Sequence, residues 1–568
     1  MYDSDLTRSN SKPMTESEIS LISDVRKKEI DEENDDFYDF NADIDENNLK
    51  LKDYQEPHFN KLSDALTGDL KFAIDASAMG GGKTPVSIIT TISLGNYYNI
   101  KYNLIIVAKG RSLVDHWVEY TDPVADYFNS ITIMSYEALR GTSISGINSS
   151  VNKLLTSTET YDGPIFSITK KFKKLIKHGA MLIFDEAHSL KNLSRQHQAA
   201  RELIKYIRTR DTNSRILFLS GTPFDKDKLT YNMFHLLCMC KEKVASYNID
   251  LNVIYDGFYQ VIKSCRKIDK KTTDRIVLEN LSYVIKNLSD IKKISNDKVN
   301  NLLLDLYIEI IVKNNQSEMI LPKIRYARDI ANGFYKISSE REKNTLTDSI
   351  MALRDLVIKY INNDSRRLDF GKVTKLLKDI SLAKYGILKR IIKGALRRGN
   401  ELGENRTIKI IIVSRFKDVL TKLYDKFSDK HAVLLLNGDI KQEERQEVIN
   451  NFQDDKKLKY KILLMTTQVG GTGLNLQDLT GNAPRELYII PDFNATDLHQ
   501  ATGRIFRPNM QSQGKARFVY GDLDNELTEE KIIESLIRKK EIMGKITSKQ
   551  LEQGISFMAN CKNIKEDY

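Results

Sequence analysis

The sequence is poor in residues that staple a fold: it has four cysteines in 568 residues, Cys238, Cys240, Cys265 and Cys561. They have neither the density of a disulfide framework nor the paired spacing of a zinc site, so free thiols in a reducing compartment and no structural metal are expected. No run of apolar residues approaches the length of a membrane span. The opening MYDSDLTRSNSK also lacks the apolar core of a secretory signal. The expectation is an intracellular protein with no membrane partner. Tryptophan occurs once, at Trp117, inside a helical pattern with Leu113 and Val114 that favours core packing over stacking on a base.

What the chain does have is positive charge, with a formal net charge of +10. The segment EIDEENDDFYDFNADIDENN, residues 29–48, contains no Lys or Arg, so the rest of the chain is more basic than the total. That balance suits a nucleic-acid partner, the bland alternative being a solvated Lys-rich surface. Residues 1–48 read as a disordered acidic tail; residues 29–48 are either an ordinary solvated acidic run or a segment that competes with nucleic acid for a basic cleft.

With 41% hydrophobic residues the chain can build sizeable cores. From 49 to 240, apolar runs (FAIDA, LIIVA, ITIMSY, MLIFDEA, RILFLSGTP) alternate with helical patterns, the rhythm of a parallel α/β domain. Between 241 and 381 strands vanish and amphipathic segments such as VNNLLLDLYIEIIVK suggest a helical insertion or bridge. A second strand and helix series fills 382–525 (KIIIVSRF, AVLLLNG, KILLMTTQ, ELYIIPD, ARFVYGD), and 526–568 reads as a helical C-terminal extension.

The stretch SAMGGGKT, Ser77 to Thr84, stands where a strand becomes a helix. Glycine adopts the dihedrals that turn backbone N–H groups onto an anion, and the helix that follows offers its positive end. Ser77, Met79, Gly80, Gly81 and Gly82 would form the loop. Lys83 would reach the terminal phosphates, and Thr84 would place a hydroxyl on magnesium. A chance glycine-rich turn is the alternative, and Ser77 stands where glycine or alanine is usual. Asp185-Glu186-Ala187-His188 ends a buried apolar strand, where an acidic pair is costly unless it faces a cation. Asp185 reads as the metal holder and Glu186 as the residue that deprotonates the attacking water, against the reading of a solvated acidic loop.

The order and wording of these motifs resemble the superfamily 2 helicases and translocases, and among them the SNF2-like group. LKDYQ is similar to the adenine-reading Q motif, with Gln55 on the base. LIIVAKGRSLVDHWVEY, ITIMSYEALR, DEAHSLKN and LSGTP resemble that group's segments, and SRF, LNGDIKQEERQEVINNF, TTQVGGTGLNLQ and HQATGRIFRPNMQ its later motifs, in order over residues 50 to 525. A narrower likeness is to the helicases and NTPases of cytoplasmic DNA viruses and linear plasmids, which favours the cytoplasm over the nucleus.

The resemblance implies two RecA-like parallel-sheet domains, Mg-ATP as cofactor, and a nucleic-acid partner, DNA before RNA. It places Gly473 and Gln500 at the nucleotide, and Lys109, Ser112, Ser414, Arg415, Thr466 and Thr467 along the nucleic-acid backbone. Arg504 and Arg507, three apart on one helical face, read as arginine fingers that complete the site on cleft closure. Other readings are an ATP-switched nucleic-acid-binding scaffold, a metabolic P-loop kinase, a restriction-type motor, and an RNA helicase or transcription NTPase.

Overall fold

The computed structural model describes residues 44–45, 48–77, 80–140, 154–160, 163–221, 229–240, 251–320, 326, 328–361, 369–403, 405–440, 442–454, 458–467, 475–507, 509–523, 529 and 562–565. Most of the acidic tail and most of 526–568 therefore lie outside the described residues. The chain forms two compact units, Met1–Leu321 and Pro322–Tyr568.

In the first unit the apolar runs without polar alternation become strands covered on both faces, as a parallel sheet requires. They are β1 (Phe72–Asp75), β2 (Asn103–Ala108), β3 (Ser130–Ser135), β4 (Ala180–Asp185) and β5 (Arg215–Leu219), joined at the edge by a short β6 (Gln316–Ser317). All pairings are parallel, in the order β6-β1-β5-β4-β2-β3. Every residue of β1, β2, β4 and β5 is buried.

Parallel neighbours need crossovers. α1 (Glu56–Thr67) precedes β1; α2 (Lys83–Tyr98) follows it; α3 (Arg111–Thr121) follows β2; α4 (Lys170–Lys177) leads into β4; and α5 (Arg195–Arg208) joins β4 to β5. Leu62, Val86, Leu104, Ile106, Trp117 and Leu217 pack in one core. Asp75 and Asp185 are both level with Leu219 of the intervening β5, which sets the two carboxylate-bearing strand ends about 10 Å apart.

The second unit holds β7 (Asp329–Lys336), β8 (Lys409–Ser414), β9 (Val433–Leu436), β10 (Ile462–Thr466), β11 (Arg485–Ile489), β12 (Lys515–Asp522) and β13 (Lys562–Lys565). They too are parallel throughout, in the order β9-β10-β8-β11-β12-β7-β13. Two parallel-sheet α/β domains are thus present, as expected from the two strand and helix series.

The middle of the chain differs from the sequence reading. Helices Leu251–Ile268, Lys270–Leu281 and Asn296–Leu306 are there, but strands do not vanish between 241 and 381. β6 edges the first sheet, β7 sits inside the second, and the division between units falls at 321/322 within the expected insertion. β6 is two residues long, and the Asp, Asn and Gly of DIANGFYK mask the apolar signal of β7. Within the expected helical C-terminal extension the described residues form one strand, β13, which pairs with β7.

Candidate nucleotide site

The loop after β1 has the geometry its glycines permit: Gly80 and Gly82 have φ of 82° and 86°, a region open mainly to glycine. A Cβ on Gly82 would collide with the Gln55 amide. Gln55 is buried against the loop, its Nε2 donating to the Gly81 carbonyl at 3.2 Å and its Oε1 accepting from the Lys52 N–H at 3.0 Å. Lys83 opens α2 and donates from Nζ to the Ser77 carbonyl at 2.9 Å. Thr84 follows it in the first turn. Met79 lies outside the described residues.

Behind the loop runs a buried polar chain that the sequence reading missed. The Ser77 N–H donates to Asp75 Oδ1 at 2.9 Å, and Ser77 Oγ accepts from the Met319 N–H at 2.8 Å. Asp75 Oδ2 lies 3.1 Å from His58 Nε2, and His58 Nδ1 lies 2.8 Å from Ser317 Oγ. Burial alone would raise the Asp75 carboxyl, but His58, Lys83 and Ser77 outweigh it and hold its pKa below the usual value. The serine that departs from the usual phosphate-loop pattern is therefore engaged with the backbone next to the edge strand β6. Only the substitution of a hydroxyl residue for glycine or alanine hinted at this.

Asp185 ends β4 with both carboxylate oxygens engaged. Oδ1 accepts from the Glu186 N–H at 2.8 Å, and Oδ2 accepts from Trp117 Nε1–H at 2.8 Å. Trp117 is fully buried, as its helical pattern suggested. A buried indole N–H needs an acceptor, which the sequence reading left unnamed. Burial raises the Asp185 pKa to about 6, Glu186 adds to the rise, and Trp117 and Lys83 oppose it. Glu186 has φ 51° and ψ 49°, a left-handed conformation that costs a non-glycine residue about 1 kcal/mol or more. Its Oε2 lies 3.1 Å from His188 Nδ1, which in turn is 3.5 Å from Ser220 Oγ at the end of β5. Lys83, Asp185 and Glu186 thus gather at the carboxyl end of the first sheet, where ligands of open α/β sheets bind.

The second unit corrects one expectation. Arg504 and Arg507 do not share a helical face: α6 (Ala495–Thr502) stops before both. Gly503 follows it, and Pro508 disfavours a helical Arg507. Both arginines are buried, as is Gln500 on α6; Gly473 lies outside the described residues. Among the backbone-contact candidates, Ser414 is fully buried and its Oγ accepts from the Phe416 N–H at 3.1 Å and meets Ser381 Oγ at 3.1 Å. Its hydroxyl is therefore engaged within the fold in this structure. Thr466 and Thr467 are buried as well. Arg415 is half-exposed beside Asp492 at 3.3 Å, Lys109 is half-buried, and Ser112 lies in the first turn of α3.

Residues 384–509 match the helicase conserved C-terminal domain, and residues 48–225 match the type III restriction enzyme, res subunit. Transcription termination factor 2 of Drosophila melanogaster is 38% identical over 100 residues, 17% of this chain and 9% of its own. TATA-binding protein-associated factor mot1 of Schizosaccharomyces pombe is 27% identical over 232 residues, 39% of this chain and 11% of its own. The matched segments thus span about a tenth of these relatives. Among solved structures, the Sulfolobus solfataricus SWI2/SNF2 ATPase core in complex with dsDNA aligns over 89% of this chain and 97% of its own, at 15% identity and a TM-score of 0.29. The Pyrococcus furiosus Hef helicase domain aligns over 85% and 98%, at 13% identity and a TM-score of 0.37. Each of the two α/β units thus carries a stretch that matches one of these family models, the first unit the restriction-enzyme subunit and the second the helicase C-terminal domain.

Proposed function

We propose that the chain is a nucleic-acid-dependent ATPase that translocates on or unwinds DNA in the SNF2-like manner. The observation that supports this most is the meeting of the glycine loop and Lys83 with the buried Asp185 and Glu186 at one end of the first sheet. Loop N–H groups and the start of α2 would hold the phosphates, with Lys83 leaving the Ser77 carbonyl to meet them. Gln55, already against the loop, would read the base.

Thr84 and Asp185 would hold Mg2+. The donor set fits, because a buried carboxylate whose pKa stands near 6 gains from a cation, and magnesium takes one or two carboxylates together with phosphates. Bound there, the ion would neutralise charge on the transferring phosphoryl group. Glu186, steadied by His188, would take the proton of the attacking water, and Arg504 and Arg507 would bring guanidinium charge from the second unit. Lys109 and Arg415 remain the best-placed candidates for the sugar-phosphate backbone. The likeness of the motif wording to NTPases of cytoplasmic DNA viruses and linear plasmids supports a cytoplasmic site of action.

ATP hydrolysis by the purified protein with duplex DNA, single-stranded DNA, RNA or no polymer tests the reading. Stimulation by DNA is expected. Stimulation by RNA alone would replace it with an RNA-dependent NTPase, and absence of turnover under every condition would leave a binding scaffold.

A further inference from the structure

The opposite end of the first sheet carries charge of another kind. α4 reads KKFKKLIK, with Phe172 and Ile176 buried four residues apart on its inner face. Lys170, Lys171, Lys173, Lys174 and Lys177 are all exposed. Among the described residues none of these lysines forms an ion pair, although exposed cations on other helices of this unit do, as in Lys313 with Glu309 at 2.7 Å and Arg275 with Glu279 at 3.2 Å. Five ammonium groups on two turns repel one another without local relief.

Two grooves adjoin the helix. One, of about 550 Å³, is lined by Lys173, Lys174, Lys177 and Arg210, with Asp211 its single acid. The other, of about 290 Å³, lies between Lys171, Lys174 and the start of β3. There Asn129 and Ser130 are fixed by donating to Asn103 Oδ1 at 2.8 and 2.7 Å. Because α4 runs into the amino end of β4, this basic face is separated from Asp185 by the six residues of that strand, about 20 Å.

We propose that α4 and Arg210 form a docking site for the sugar-phosphate backbone of duplex nucleic acid, separate from the strand-end loops at the nucleotide end. The proposal rests on the nucleic-acid-dependent reading above. A duplex carries one negative charge per about 1.7 Å of axis, so a helix about 12 Å long faces several phosphates at once. Lysines on flexible stems present point charges without the fork that selects a single carboxylate, which suits a repeating phosphate chain better than an acidic peptide. Such a site raises affinity and residence on the polymer and leaves the chemistry of hydrolysis untouched.

The test compares the full chain with a K171E/K174E/K177E variant. Binding of a short DNA duplex is measured across a salt series, beside ATPase rate against duplex concentration. The expected result is weaker binding, a salt slope shallower by about 0.9 for each phosphate no longer neutralised, and a higher duplex concentration for half-maximal stimulation. Basal turnover and the maximal stimulated rate should stay as they are. If the wild type is stimulated by duplex and the variant matches it in affinity and slope, this site is overturned and the functional reading stands. A wild type that neither binds nor responds to duplex overturns both. A third arm adds a peptide of residues 29–48: binding of that peptide to the wild type and not to the variant, with duplex binding equal in both, assigns the face to the chain's own acidic segment and overturns the proposal.

Discussion

The two ends of the first sheet solve opposite problems with similar residues. At the carboxyl end Asp75, Asp185 and Lys83 sit close together, and each charge is held by named partners: His58 and Ser77 for Asp75, Trp117 and the Glu186 N–H for Asp185, the Ser77 carbonyl for Lys83. At the amino end the lysines of α4 are exposed and, among the described residues, have no acidic partner. Buried charge acts through preorganisation, so one displaced atom matters; exposed charge acts through number and is graded by salt. Substitutions at the first end should therefore be severe and specific, and those at the second additive and screened.

The largest effect is expected from Lys83→Ala, which should abolish ATP hydrolysis, while Glu186→Gln should bind ATP and leave it uncleaved. Single-turnover assays with nucleotide-binding measurements separate the two defects. Near-normal turnover by a folded Glu186→Gln would remove Glu186 from its role. Arg504→Ala and Arg507→Ala should each lower turnover on the order of a thousand-fold or more with little change in ATP affinity. Equal rates for wild type and both variants would strip the second unit of its part in hydrolysis.

Trp117→Phe sharpens the comparison, since it keeps an aromatic ring in the core and deletes only the donor to Asp185. Loss of a partner that orients a metal-holding group typically costs 10- to 100-fold in metal affinity or activity. A rise in the Mg2+ concentration needed for half-maximal turnover is expected, and a variant that loses stability alone would show Trp117 to be packing and nothing more.

The smallest effect concerns pH. His197 Nε2 lies 2.8 Å from His235 Nδ1, and burial pushes the His197 pKa down to about 4, with Arg201 adding to the fall and the Leu190 carbonyl opposing it. Above pH 6.5 the ring is neutral folded or unfolded. Below that, the unfolded chain takes a proton the fold refuses, so stability is lost as pH falls from about 6.5 toward 4, by at most about 3 kcal/mol. Asp185, held near 6, works in the opposite sense over the same range. Chemical denaturation of wild type and His197→Asn across these pH values isolates the histidine, and parallel curves would refute its share.

The strands and loops with a single dominant cause were legible in the sequence. FAID, NLIIVA and RILFL are mostly apolar, without polar alternation, because helices cover both faces of a parallel sheet, and Gly80 and Gly82 of GGGKT take the positive φ their positions need. Residues whose environment is assembled from distant segments were not legible. His58, Ser317 and Met319 come together from chain positions more than 240 residues apart, and no local pattern marks any of them. The arginine spacing misled because three residues apart implies one face only inside a helix, and α6 had already ended.

The bond from the Met319 N–H to Ser77 Oγ ties the backbone just past β6 to the start of the glycine loop, so a substitution at Ser77 would loosen the edge of the first sheet together with the loop, and one at Ser317 would be felt at His58 and Asp75 beside it.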